Sequence, residues 1–299
     1  MSNPSGKGEG HSSRAAGFLF LMVTSVGWGV NWPISKYLLT ELPPLTMRGL
    51  GGLIGALLLA LLALARRESL LVPRHLWPRL IGISLLTVGV WTGLIGLSLL
   101  WLNAGEAAVL AASNPVWVSL LAWPMLSERL SITRIAALLV AIAGLAILFG
   151  VDGFSASAGK LPGILLALTA TMGVAVGTIL TKRFPLQMPA IAVATWQIGC
   201  ACLVVTAAGF IFETAYFDRL SPLGWALLGY VVVIQFCVCY ACWFAALKRL
   251  PASTASVGTL VIPVVGVLAS AIALHEPLGL REILALALTL GAVAIAARG

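Results

Sequence analysis

The chain has 299 residues, of which 60% are hydrophobic and only 9% are charged, and its mean hydropathy is +1.05. Soluble domains carry about 25% charged residues, so this composition excludes a water-covered surface and predicts a protein embedded in a lipid bilayer. The net charge of +8 does not indicate a nucleic-acid partner, because the basic residues flank apolar runs and form no aromatic-studded basic patch.

Ten apolar runs, each long enough to cross a hydrocarbon core, follow one another along the chain. Residues 1–15 are polar and are expected to form a flexible cytoplasmic tail. The first run is too long for a signal peptide and is interpreted as an uncleaved span. A Gly- and Ser-rich linker at 151–160 separates two halves of five spans, 16–150 and 161–297. The predicted spans are 16–39, 43–65, 79–101, 104–126, 132–150, 161–183, 189–212, 222–247, 252–274 and 279–297.

The basic residues predict the orientation of these spans. With the N-terminus in the cytoplasm, 13 of the 18 Lys and Arg residues fall in cytoplasmic segments, and five, including Lys36 and Arg48, fall outside. Cytoplasmic loops are enriched in Lys and Arg, so both termini are predicted to be cytoplasmic, in a bacterial inner membrane.

A short sequence pattern near the end of the fourth span is repeated near the end of the ninth. Pro115 and Pro263 are 148 residues apart, and so are Glu128 and Glu276. At this offset, residues 98–149 match 246–297 at 16 of 52 positions, where about five matches would arise by chance. Because five is an odd number of crossings, the second copy enters the membrane from the opposite side. The sequence therefore predicts inverted repeats, which many secondary transporters use for alternating access.

The two copies, "NPVWVSLLAWPMLSERL" and "IPVVGVLASAIALHEPL", resemble the two EamA repeats of the drug/metabolite transporter superfamily. This resemblance implies an all-α integral membrane fold of ten helices around a central cavity, with the fifth and tenth helices at the periphery. The tryptophan-rich spans are similar to those of YddG-type amino-acid exporters. The resemblance thus implies a small-molecule substrate, and amino acids in particular.

Polar and aromatic residues near the middle of spans are the candidates for substrate contact, because polar groups in hydrocarbon are costly unless they face a cavity or a partner. Packing against neighbouring helices remains the alternative for the tryptophans, and a bond to a neighbouring helix remains the alternative for the asparagines. The candidate substrate-binding residues are Trp28, Asn31, Trp91, Thr92, Asn114, Trp117, Thr178 and Gln235.

Pro115 and Pro263 are candidate hinges because each removes a backbone hydrogen bond at an equivalent place in the two copies. A passive kink is the alternative. Glu128 and Glu276 lie at span ends and are expected to anchor loops. No metal or other cofactor is expected, since cysteines two residues apart on a helix point to nearly opposite sides and cannot share an ion.

These observations favour a secondary transporter that exports amino acids, neutral or aromatic and with broad specificity, by alternating access. The cavity is expected to be aromatic, polar and uncharged, and therefore to handle phosphates poorly. Export of another small metabolite or drug is the alternative, and a membrane-embedded enzyme or a structural, lipid-handling protein would belong to other classes. A monomer is expected, with an oligomer left open.

Overall fold

A computed structural model describes residues 6–126, 132–150, 159–250 and 258–296. Within these ranges all regular secondary structure is helical; it comprises ten segments, numbered α1 to α10 in chain order, and a short 3₁₀ turn at Phe217–Arg219. The helix α1 begins at Gly6, inside the stretch that the sequence assigns to a polar tail. The ten helices are α1 Gly6–Leu38, α2 Pro44–Ala65, α3 Arg74–Ser98, α4 in two parts (Ala104–Ala112 and Asn114–Leu126), α5 Ile132–Gly150, α6 Leu161–Arg183, α7 Ala190–Phe212, α8 Pro222–Leu247, α9 Val261–Leu274 and α10 Leu280–Ala296.

Six of the described helices are long and apolar enough to cross a membrane: α1, α2, α3, α6, α7 and α8. The apolar stretch of α9 is shorter, at Val261–Leu274, and residues 251–257 of the predicted ninth span lie outside the described part of the chain. The prediction of an all-α integral membrane fold is confirmed.

The helices pack in a pattern that is preserved when α1–α5 are exchanged with α6–α10. Helix α1 packs against α8 and α9, and its counterpart α6 packs against α3 and α4. Helix α2 contacts α8, just as α7 contacts α3. The pairs α2–α7, α4–α9 and α5–α10 each join a helix to its own counterpart. This is the packing that two inverted repeats produce around one pseudo-twofold axis.

On this axis α2 and α7 pack closely against each other, where a Thr-x-x-Gly sequence occurs in both helices. A Cβ added to Gly49 would lie 2.7 Å from the backbone nitrogen of Thr206, and one added to Gly209 would lie 2.8 Å from that of Thr46. Each glycine therefore packs against the threonine of the other helix. Small residues at such positions let membrane helices approach closely enough for backbone packing.

Three glutamates join helix ends at one face of the bundle, which we call the capped face. Each lies just beyond the C-terminal end of an odd-numbered helix, and each accepts hydrogen bonds from backbone N–H groups at the start of an even-numbered helix. A carboxylate is stabilised there because the first N–H groups of a helix have no partner within it. With N–O distances of 2.7–2.9 Å, the pairs are Glu41 with Ser221, Glu213 with Leu45 and Thr46, and Glu276 with Ala104 and Gly105.

The three caps anchor the connections at this face. The hydroxyl of Ser221 also donates to Glu41, and these hydrogen bonds lower the pKa of the Glu41 carboxyl below its ordinary value. Glu276 holds the start of α4, which is the anchoring role that its position at a span end favours. Its sequence counterpart Glu128 lies outside the described residues.

Candidate functional site

A cavity of about 370 Å³ lies between the two halves. Its described lining comes from α1, α2, α3, α4, α6, α8 and α9, together with Thr259 and Leu260 just before α9. Among the described residues, none of those lining it belongs to α5 or α10, in agreement with the peripheral position that the family resemblance implies for these two helices. The volume is at the lower end of the range of small-molecule sites, about 300–1,000 Å³.

Two helices that line the cavity are irregular at equivalent places. Helix α3 contains π-helical turns at Leu85–Gly89 and Trp91–Ile95, and its counterpart α8 contains a longer one at Val231–Val238. A π-turn inserts an extra residue into the helical repeat and is frequent at functional sites. Trp91 and Gln235 come from these turns and line the cavity.

The helices α4 and α9 are interrupted beside the cavity. Helix α4 breaks at Ser113 and restarts at Asn114, and α9 begins at Val261, which is 148 residues after Ser113. Pro115 and Pro263 therefore stand in the first turn of a helix, where the missing N–H of a proline costs no internal hydrogen bond. Both prolines line the cavity. They mark the start of new helical segments and do not bend a continuous one.

Aromatic rings form much of the wall. Trp28 meets Tyr240 edge to face with ring centroids 5.2 Å apart, and Trp32 meets Trp91 in the same way at 6.3 Å. The indole N–H of Trp28 donates to the carbonyl oxygen of Gln235, 3.2 Å away, which fixes that ring between α1 and α8. Edge-to-face pairs of this kind add to the stability of apolar packing, so the wall is both apolar and ordered.

The structure brings most of the candidate residues together. Six of them line the cavity: Trp28, Asn31, Trp91, Thr92, Asn114 and Gln235. Asn114 also donates from Nδ2 to the carbonyl oxygen of Thr171 in α6, at 3.0 Å, so it both bonds a neighbouring helix and faces the cavity.

The other two candidates lie outside this lining. The indole N–H of Trp117 donates to the Ser113 hydroxyl on its own helix, at 3.0 Å. Thr178 is exposed, and its hydroxyl donates to the carbonyl oxygen of Val174 one turn earlier, at 2.8 Å. Substrate contact by any of the eight candidates stays a prediction.

The prediction of an uncharged cavity is wrong. Arg48 lines the cavity and is only 4% exposed, although its position near the start of α2 suggests a residue at the membrane surface. Its side chain runs beside Gly96 of α3, where an added Cβ would lie 2.7 Å from Arg48 Cδ. The long aliphatic stem of an arginine can carry its charge well away from its own backbone. Position along the sequence gives the depth of a residue in the membrane but not the side of the helix that it occupies.

Arg48 belongs to a small polar cluster with Asn31 and Ser35. Both Arg48 Nη1 and Asn31 Nδ2 donate to the Ser35 hydroxyl, at 3.2 and 3.1 Å. Arg48 Nε and Asn31 Oδ1 are buried and have no hydrogen-bond partner among the described residues. Within the described part of the chain, Arg48 forms no ion pair with a carboxylate. Asn31 is one of the candidates that the sequence indicates, whereas the sequence signal for Arg48 is an arginine inside an apolar run, at the fifth residue of α2.

Comparison with known proteins gives consistent matches along the chain. The model of the EamA-like transporter family matches residues 15–150 and again residues 161–298. The chain is 29% identical to the uncharacterized transporter YvbV of Bacillus subtilis over 93% of its own length and 90% of that protein. It is 28% identical to a probable amino-acid metabolite efflux pump of Salmonella typhimurium, over 89% of both chains. A crystal structure with 21% sequence identity shares the fold, with a TM-score of 0.67 and 96% of both chains covered.

Proposed function

Because the chain belongs to the EamA-like transporter family, we propose that this multi-pass membrane protein exports amino acids, neutral or aromatic, across the bacterial inner membrane. The observation that carries this proposal is the cavity between the pseudo-symmetric halves, with its aromatic wall and its few polar side chains. The relative named a probable amino-acid metabolite efflux pump supports the substrate class. The working unit of this proposal is a monomer, which encloses a cavity by itself.

Alternating access follows from the same proposal. In this mechanism the structure represents a state closed at the capped face, where the three glutamate caps join the helix ends. If the two repeats exchanged conformations, the capped face would open and the opposite face would close. In this mechanism Pro115 and Pro263 act as hinges, because a helix that restarts beside the cavity can change direction there without losing an internal hydrogen bond.

The wall of the cavity suits amino acids of varied side chain. Trp28, Trp91 and Tyr240 present broad apolar faces, and the side-chain amides of Asn114 and Gln235 can form hydrogen bonds with the polar end of a solute. Such a wall fits many side chains without selecting one shape. A membrane-embedded enzyme is the competing class of function, and it would release its substrate chemically changed.

Transport by the purified protein tests this proposal. Liposomes that contain it should exchange labelled L-phenylalanine faster than empty liposomes, unlabelled neutral amino acids should compete, and the label should be recovered as phenylalanine. Trp91→Ala should slow exchange several-fold, because it removes an indole from the cavity wall, whereas Trp117→Ala should slow it less. No exchange above that of empty liposomes, or recovery of an altered compound, would contradict the proposal.

A further inference from the structure

We propose that Arg48 binds the carboxylate of the solute in the cavity and that Asn31 Oδ1 accepts a hydrogen bond from its amino group. This inference rests on the proposed function, because it requires that the transported solute binds in the cavity. It goes beyond that function by assigning the recognised group: an unmodified carboxylate beside an amino group, the backbone part of an α-amino acid.

The burial of Arg48 is the first reason. A charged side chain within a membrane protein is costly unless it has a partner or water, and such residues commonly mark solute or ion pathways. Arg48 is 4% exposed, and Arg48 is the one charged side chain among the described residues that line the cavity. The carboxylate that caps the start of the same helix, that of Glu213, is already bonded to the N–H groups of Leu45 and Thr46. An anionic solute would supply the missing counter-charge.

The donor geometry is the second reason. Ser35 accepts from one terminal nitrogen of Arg48 and leaves Nε without a partner. A guanidinium has five N–H donors in a planar fork, which matches the two oxygens of a carboxylate. Gly96 leaves the space through which the side chain passes, so the fork is held by packing on one side and by Ser35 on the other.

Asn31 supplies the complementary acceptor. Its Nδ2 bonds the same Ser35 hydroxyl at 3.1 Å, while its Oδ1 is buried without a partner. One hydroxyl therefore holds a free acceptor and a free cationic donor next to each other. A solute with an ammonium group and a carboxylate on one carbon satisfies both. A phosphate dianion would keep one uncompensated negative charge, since the described lining offers a single cation.

Thermal stabilisation of the purified protein in detergent tests the recognised group without requiring transport. The probes are 3-phenylpropionate, its neutral analogue 3-phenylpropionamide, and 2-phenylethylamine, with inorganic phosphate as a further anion. We expect 3-phenylpropionate to raise the melting temperature. The amide, the amine and phosphate should need concentrations at least about tenfold higher for the same rise, or should cause none, because the hydrogen bonds between the carboxylate and the charged guanidinium are lost.

Two variants assign this effect to the cluster. Arg48→Gln should remove the preference for 3-phenylpropionate over its amide. Asn31→Asp should remove it as well while keeping the fold, because the new carboxylate lies next to Arg48 and neutralises it. The matched control is Arg219→Gln, which removes an exposed arginine that stacks on Tyr216 away from the cavity, and it should behave like the parent.

The outcome separates this inference from the proposed function. If the amide stabilises the parent as well as the carboxylate does, or if the preference survives in Asn31→Asp, the role of Arg48 is overturned even where phenylalanine exchange is observed. If the carboxylate preference depends on Arg48 but phenylalanine is not exchanged, the inference stands and the proposed amino-acid export fails.

Discussion

At the scale of single residues, the absence of a side chain decides how closely the two repeats approach. Gly49 and Gly209 face the threonines of the opposite helix, and a Cβ added to Gly209 would lie 2.8 Å from the backbone nitrogen of Thr46. Real Cβ atoms do not approach backbone nitrogen this closely, so a larger residue there must push α2 and α7 apart. The same kind of space, beside Gly96, accommodates Arg48.

Gly209→Ala is therefore expected to destabilise the protein. Overpacking of a filled interface costs about 1–3 kcal/mol, which should appear as a lower melting temperature in detergent. The matched control is Gly229→Ala in α8, where an added Cβ has no neighbour within 4 Å. Equal melting temperatures for the two variants would show that the crossing of α2 and α7 can widen freely.

At the scale of elements, the helices around the cavity depart from regular α-helix in matched pairs. The π-turn at Leu85–Gly89 in α3 and the one at Val231–Val238 in α8 occupy equivalent places, and so do the break at Ser113 and the start of α9 at Val261. Irregular backbone at membrane depth is tolerated where it is buried in protein or lines a cavity. These four helices are consequently the elements from which we expect movement during transport.

The variants Pro115→Ala and Pro263→Ala are expected to slow transport more than they weaken solute binding. Alanine restores a backbone N–H and allows the helix to run through the break, which shifts the balance between two states that differ by a few kcal/mol. Exchange rates in liposomes and thermal stabilisation by solute measure the two effects separately. Pro162→Ala, at the exposed start of α6, is the control; parental rates in both hinge variants would leave the two prolines with a packing role only.

At the scale of the whole molecule, pseudo-symmetry makes two opposite arrangements of similar energy available to one chain. The packing of α1 against α8 and α9 has its counterpart in the packing of α6 against α3 and α4. The capped face is held by the glutamates that follow α1, α7 and α9 and bond the starts of α8, α2 and α4. A change of state that opens this face must break these hydrogen bonds, so their strength sets the population of the opposite state.

The capped face is expected to point away from the cytoplasm, since Lys and Arg are more numerous in the segments at the opposite face. In intact cells, Asp218→Cys should react with a membrane-impermeant thiol reagent, and Ser69→Cys should react only after the cells are opened. Asp218 follows α7 at the capped face, whereas Ser69 follows α2 at the other. The parent, whose five cysteines lie within helices, provides the background, and the reverse labelling pattern would invert the orientation.

Local patterns in the sequence predicted the membrane-spanning helices, the inverted halves and part of the cavity lining. Apolar length predicted membrane-spanning helices, because hydrocarbon accepts backbone only when its hydrogen bonds are made within the segment. The repeated Pro and Glu positions predicted the inverted halves, and the mid-span polar residues predicted six residues of the cavity lining, Trp28, Asn31 and Trp91 among them.

Only the tertiary structure decided which of the candidate residues are excluded from the cavity lining and that an arginine belongs to it. Trp117 bonds its own helix and Arg48 turns inward, although their positions in the sequence suggest the reverse. The rotation of each helix about its axis is set by packing, such as the close contact of Gly96 with Arg48 and of Gly49 with Thr206. Those contacts join residues distant in sequence, and no local pattern encodes them, so the charge in the cavity became visible only in the folded chain.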